Sequence, residues 1–338
     1  MDTKTVSELI GAAQRIVIIQ ADNPDGDSLA SALALEQILG DLGKEPCLYC
    51  GVAMPSYLTY LKGWDRVSNE LPNQFDLSII VDTSALSLLE TLDKKHQVGW
   101  LRAKPCIVLD HHTNESSIDF ATVLINQPAV ATGEIIYELS KQLAWVMNRS
   151  AQEMIATSIL SDSLGLTSEG TSARSIHIIG ELVEQGVSIA ELESRRREMM
   201  RKSPELVHYK GVLLERVEYH DDNRIATITI PWEEIEKYSP AYNPTMLVLD
   251  DMRLTENTDI AIGFKVYSDG KVTAKIRCNY GKRIADKLAE HFGGGGHPYA
   301  SGFKVTDGRP FNEIKAETIR YATELLNALA QEPANEAV

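Results

Sequence analysis

The sequence is short of cysteine and of positive charge, and it has no long apolar run. Four cysteines in 338 residues are too few for a disulfide framework, which points to a reducing, cytoplasmic setting. Cys47 and Cys50 form a CxxC, but within the strand-like EPCLYCG and with no second pair to complete a zinc site, so buried small residues are the better reading. No run approaches the length of a membrane span, and MDTKTVSELIGAAQ has an early acid and lacks the apolar centre of a secretory signal. Lys and Arg number 33 against 48 Asp and Glu, a net charge of -15. That argues against a basic sheath for long nucleic acid and leaves a small anionic ligand held by a few local cations or by metals. No GxGxxG follows the first strand, so a glycine-rich nucleotide-cofactor oxidoreductase fails. There is no internal repeat and no low-complexity segment.

What is present is an alternation of β-rich runs and helical patterns. RIVII, the helix SLASALALEQILGDLG, CLYC, LSIIV, a helix from about Ala85, CIVL, TVLI and a helix around GEIIYELSKQLAW predict a doubly wound α/β domain with a mainly parallel sheet. Asp27 or Ser28 is the expected cap of the first long helix and Gly43 its stop. The expected boundaries are residues 1–188 for this domain, a charged helical connector over 189–214, a smaller α/β domain over 215–331, and a tail over 332–338. Arg195, Arg196, Arg197, Arg201 and Lys202 in the connector read as a solvated helix face. In the smaller domain, Ser268-Asp269-Gly270 between alternating strands signals a hairpin.

The apolar run Ile16 to Ile19 leads into NPDGD, carrying Asp25 and Asp27. LSIIV leads into Asp82, and CIVL into Asp110, His111 and His112. Ligands of open parallel sheets sit outside the carboxyl ends of the strands. Any one acid after a strand is usually a turn or helix cap. Several converging on one crevice must bind either protons or divalent cations, and the added imidazoles favour cations. Oxygen and nitrogen ligands without thiolate suit Mn2+, with Mg2+, Co2+ or Zn2+ the less favoured choices.

In the second half, four glycines from Gly293 to Gly296 precede His297, between the helical RIADKLAEHF and the strand SGFKV. Consecutive glycines suit a place where bare amides approach a ligand or φ is positive. Gly294, Gly295 and Gly296 could hold a phosphate or terminal nucleotide, with Arg277 and His297 adding charge.

In order, NPDGD, VDTS, DHH and SILSDSLG resemble the DHH phosphoesterase superfamily, and HFGGGGHPYASGF resembles the glycine-rich motif of the DHH-associated domain. The resemblance spans nearly the whole chain and is nearest the bacterial oligoribonuclease branch, the nanoRNases. It implies a phosphoric ester hydrolase with two metal ions. Asp25 would bind one, Asp27, His111 and Asp162 the other, and Asp82 would bridge them. Asp110 would fix a histidine tautomer and His112 would contact the phosphate or assist the leaving group. Arg277 and the glycine-rich motif would hold the substrate end. Family members usually carry a histidine three residues before the proline of NPDGD, where this chain has Ala21; a weak first metal is therefore expected. Two readings follow. One is a metal-dependent phosphodiesterase that trims very short oligonucleotides or dinucleotides to mononucleotides and also acts on 3′-phosphoadenosine 5′-phosphate. The other is a nucleotide-binding protein whose catalysis lapsed with Ala21. Either is compatible with a homodimer and with no membrane partner.

Overall fold

Five runs of aliphatic residues pair side by side: β1 (Arg15–Gln20), β2 (Glu45–Cys50), β3 (Leu77–Val81), β4 (Cys106–Asp110) and β5 (Val123–Asn126). Their order is β2-β1-β3-β4-β5 and every pairing is parallel. The computed structural model describes residues 2–112 and 115–331, and its chain divides into two units, Met1–Arg201 and Lys202–Val338. The expected tail over 332–338 lies outside the described residues.

The strands of the first unit are apolar on both faces because both faces are covered. Ile16 and Ile18 pack with Leu29, Leu33 and Ile155 in one cluster, while Val17, Ile19, Ile80 and Val108 pack with Leu89, Leu92 and Leu101 in another. This is the expected doubly wound α/β arrangement, and the strand order reverses at β1. Ligand crevices form at such a switch point, outside the carboxyl ends of the strands.

The helix Gly26–Asp41 starts two residues earlier than the sequence suggests. Its cap is Asp25, not Asp27 or Ser28: the Asp25 carboxylate accepts from the Ser28 amide at 3.0 Å, and the Ser28 hydroxyl accepts from the Asp25 amide at 2.9 Å. Asp27 therefore lies in the first turn, where its charge suits the helix N-terminus. Two glycines close the packing around it. A Cβ on Gly26 would lie 2.1 Å from the Ser161 hydroxyl, and one on Gly133 would lie 2.1 Å from that of Ser158. Glycine at these positions lets the helices Gly26–Asp41, Thr132–Gln142 and Arg149–Asp162 approach closely enough to share buried polar contacts.

The second unit holds a mixed sheet of β6 (Glu218–His220), β7 (Ile225–Ile230), β8 (Ile260–Val266), β9 (Val272–Cys278), β10 (Gly295–His297) and β11 (Ala300–Val305). The order is β10-β11-β9-β8-β7-β6, with β7 and β8 parallel and the other pairs antiparallel. Strict alternation along β9 buries Val272, Ala274, Ile276 and Cys278 against the helices Ala285–His291 and Phe311–Gln331. The β8–β9 hairpin turns at Gly270 with φ 80°, as its sequence signals.

Over the expected connector the chain forms two helices, Ile189–Met199 and Pro204–Glu215, and the Ser203 side chain caps the second. Of the arginine run, Arg196, Arg197 and Arg201 are exposed and pair with Glu193 and Glu198, whereas Arg195 is half-buried and pairs with Glu153 of the helix Arg149–Asp162. Cys50 is buried and Cys47 half-buried, neither in a disulfide. No described helix is long and apolar enough to cross a membrane.

Candidate functional site

The carboxyl ends of β1, β3 and β4 bring their acids and imidazoles to one place. Asp27 is fully buried and its two oxygens are held separately. Oδ1 accepts from the Ser31 hydroxyl at 2.9 Å and from Ser158, while Oδ2 accepts from the Thr132 amide at 2.7 Å. Asp82 follows β3 with φ 60°, a left-handed conformation that Asp tolerates better than most residues but that still strains the chain. Its amide continues the sheet by donating to the Leu109 carbonyl at 2.9 Å, and Thr132 Oγ1 donates to its Oδ1 at 3.3 Å.

His111 joins the set. Its Nδ1 lies 3.1 Å from the Ala129 carbonyl. A carbonyl only accepts, so Nδ1 carries the hydrogen and Nε2 is left with a lone pair. That Nε2 is buried without a hydrogen bond, yet it lies 3.3 Å from Asp82 Oδ1, 3.5 Å from Asp27 Oδ2 and 3.5 Å from Asp162 Oδ2. Asp162 ends the helix Arg149–Asp162, and its carboxylate turns toward the cluster instead of capping a turn. The donor atoms of Asp27, His111 and Asp162, and likewise of Asp82, His111 and His112, lie within 4.8 Å of one another.

These groups repel as they stand. Burial first, then the charges of Asp27, Asp25 and Asp162, pushes the Asp82 carboxyl well above the usual carboxylate range. Burial and then Asp27 and Asp25 push Asp162 up to about 8, against the pull of His111. Asp25 retains an exposed edge but is ringed by protein, so lost hydration raises its pKa first and Asp27 adds to it. A lone pair facing three carboxylate oxygens, in a pocket that already disfavours their charge, is a donor set that a divalent cation satisfies. The residues present fit a metal.

Asp110 stands behind the histidines. Its fully buried Oδ1 accepts from the His111 amide at 2.9 Å, the His112 amide at 3.3 Å and His112 Nδ1 at 2.7 Å. Burial alone would raise the Asp110 carboxyl, but the His112 hydrogen bond and charge outweigh it and hold the carboxyl low. A charged acceptor on Nδ1 fixes that proton and leaves the other ring nitrogen of His112 free to act.

The residues flanking Ala21 supply no imidazole. Ala21 is buried and offers no side-chain donor. Asp22 Oδ2 accepts from the Thr91 amide at 2.7 Å, while its Oδ1 is buried without a hydrogen bond among the described residues. Gln20 is fully buried, its amide without a partner among the described residues.

In the second unit Arg277 and Gly294 and Gly295 line a groove of about 750 Å³, together with Lys265, Lys275 and Lys304. Gly296 and His297 do not line it; both are exposed in β10, which pairs with β11. The glycines serve different ends. A Cβ on Gly294 would lie 2.3 Å from the Gly302 carbonyl, and Gly296 has φ 142° with its Cβ position 2.7 Å from the Ala300 carbonyl. Those two are required by backbone packing, whereas Gly295 faces free space. The sequence reading missed the polar partners of the metal cluster, Ser31, Thr132, Ser158 and the Ala129 carbonyl. Only the i to i+4 spacing of Asp27 and Ser31 hinted at any of them.

Residues 15–163 match the DHH family, N-terminal domain. The chain is 25% identical to the bifunctional oligoribonuclease and PAP phosphatase NrnA of Bacillus subtilis (strain 168), over 86% of this chain and 89% of that one. It is 24% identical to the NrnA of the same description from Thermus thermophilus, over 88% and 87%. A solved structure described as an exopolyphosphatase-related protein from Bacteroides fragilis superposes with a TM-score of 0.83 at 21% identity, covering 97% of each chain. At that identity the superposition speaks for the fold alone.

Proposed function

Because the N-terminal unit of this chain belongs to the DHH family, we propose that the protein is a divalent-metal-dependent phosphoesterase. It hydrolyses very short oligonucleotides to mononucleotides and removes a phosphate from 3′-phosphoadenosine 5′-phosphate, the two activities in its relatives' names. The observation that carries this is the His111 Nε2, buried without a hydrogen bond between the carboxylates of Asp27, Asp82 and Asp162.

Asp27, His111 and Asp162 would hold one ion, Asp25 the other, and Asp82 both. Mn2+ suits this oxygen and nitrogen set best. Bound ions would supply a nucleophile from water at neutral pH and offset charge on the phosphoryl oxygens. The ion at Asp25, without an imidazole at Ala21, would bind more weakly, so full activity would need a higher metal concentration. Within the chain, Ser31, Ser158 and the Thr132 amide fix Asp27, and the Ala129 carbonyl fixes the His111 tautomer. His112, oriented by Asp110, delivers a proton from its free ring nitrogen to the leaving oxygen. The C-terminal unit, as a DHH-associated domain, holds the substrate end with Arg277 and the glycine-rich segment. The localisation we propose is cytoplasmic.

The test is a manganese titration against dinucleotides, five-residue oligonucleotides and the bisphosphate, with products identified by chromatography. Mononucleotides should appear with a metal dependence that Asp82→Asn removes. No product from any substrate at any manganese concentration would overturn the hydrolase.

A further inference from the structure

The groove of the second unit carries more positive charge than one phosphate needs. Arg277, Lys275 and Thr273 alternate along β9 on the face opposite the buried Val272, Ala274 and Ile276. Register extends that face across the neighbouring strands. Lys275 lies between Gly263 of β8 and Gly302 of β11, and Arg277 between Ala261 and Ala300. At the third position Thr273 is flanked by Lys265 on one side and Lys304 on the other. The result is a trough that Gly302 and Ala300 keep low on the β11 side of Lys275 and Arg277, that Thr245 covers over Gly263 on the β8 side, and whose far end is flanked by two lysines. Gly263 is confined to glycine here, since a Cβ would lie 2.9 Å from the Thr245 side chain.

These four cations are not offset from within. None forms an ion pair among the described residues, although most lysines and arginines of this acidic protein do. The nearby acid, Asp250, pairs with Arg253 at 3.2 Å. Among the described residues the Arg277 side chain donates only to the Ile276 carbonyl, at 2.9 Å, and Lys265 reaches only the Ser239 hydroxyl, at 3.5 Å. Burial, then the neighbouring cation, pushes Lys265 and Lys275 below the usual lysine range. Like charges gathered without counter-ions on a fixed sheet are arranged for an anion that spans them.

Spacing selects the anion. Alternate residues of a strand lie about 6.8 Å apart and neighbouring strands about 4.8 Å. The rungs therefore stand about 6.8 Å apart along β9, close to the step between successive phosphates of an unstacked single strand. They are too far apart for phosphates that share one bridging oxygen. We propose that Arg277, Lys275 and the Lys265–Lys304 pair form a three-rung ladder for successive phosphodiesters, which makes substrate length the quantity this groove reads. This rests on the oligonucleotide reading above and adds what limits it: the first two rungs serve a dinucleotide, and the third is engaged only by longer chains.

The experiment measures binding of 5′-phosphorylated di- and tetranucleotides, and of linear inorganic triphosphate, to the full chain in EDTA, where hydrolysis does not interfere. For the wild type the tetranucleotide salt slope should exceed that of the dinucleotide, by about 0.7 for each added phosphate contact. Lys265→Ala/Lys304→Ala should lower the ratio of tetranucleotide to dinucleotide affinity by on the order of tenfold. Lys275→Ala should weaken both oligonucleotides, and Lys275→Arg should restore them. Unchanged thermal midpoints confirm that the variants fold; a variant that unfolds is replaced by the corresponding Lys→Gln. An unaltered affinity ratio in the double variant, or an equal loss of triphosphate binding, would overturn the ladder. Failure of the ladder with manganese-dependent turnover intact leaves the proposed function standing. Length-dependent binding without turnover does the reverse.

Discussion

The two units hold opposite electrostatic deficits. At the ends of β1, β3 and β4, four aspartates meet around histidines, and the nearest compensation is hydroxyls and amides. On the face of β8, β9 and β11, an arginine and three lysines line a groove with no acid paired to them. Proteins seldom leave either arrangement without a partner, because buried like charges cost more than solvated ones. On the reading proposed above, cations would balance the acidic cluster and phosphates the basic groove. A phosphate ester suits either site taken by itself, since its oxygens bind metal ions and also accept from ammonium and guanidinium groups.

The contrast can be tested by removing charge from each side. The largest effect should come from Asp82→Asn, which keeps the shape and a side chain tolerant of φ 60°. Manganese-dependent turnover should fall on the order of 10³-fold, while the metal-free protein becomes more stable in thermal melts because a carboxyl whose ionisation the folded site disfavours is gone. A variant that keeps its turnover would break the comparison. On the basic side, Arg277→Ala should raise KM for short oligonucleotides by on the order of tenfold or more, with a smaller change in kcat. A fall in kcat at constant KM would show that the arginine does not act through binding. Ala21→His tests the weak ion: half-maximal activity should need about tenfold less manganese, as read by titration.

The smallest effect is a pH dependence. With its folded pKa at about 8 against an ordinary 3.8, Asp162 keeps a proton in the folded chain that the unfolded chain has already released. Between those values the folded state binds more protons, so the stability of metal-free protein falls as pH rises from about 4 through about 8. The melting midpoint in EDTA should drop by about 5 °C from pH 5 to pH 8. Asp162→Asn should flatten the slope, and manganese should stabilise most at the alkaline end. A slope that survives Asp162→Asn would place the titrating group elsewhere.

Much of this was readable from residue order. Apolar runs ending in Asp25, Asp82 and Asp110 announce a parallel sheet with acids at its carboxyl ends, and Asp269-Gly270 announces the hairpin. The glycine run also answers to packing that the sequence does not announce: Gly294 and Gly296 are confined by the backbone of β11, while Gly293 and Gly295 face free space. The helix cap was misplaced by two residues, because Asp25, Asp27 and Ser28 are all good caps and local propensity cannot rank them.

Alternation, period and residue type are local properties, and they determined that this chain has strand-end acids, a mainly parallel sheet and a net negative charge. Only the tertiary structure decided which acids meet. Asp162 lies at the end of a helix remote in sequence from the strand-end acids, and it enters the cluster because Gly26 and Gly133 let three helices close. The cationic ladder is likewise invisible in sequence, since Lys265, Lys275 and Lys304 belong to three strands and share a face only through register. Long-range pairing sets which charges become neighbours, and no stretch of chain carries that information alone.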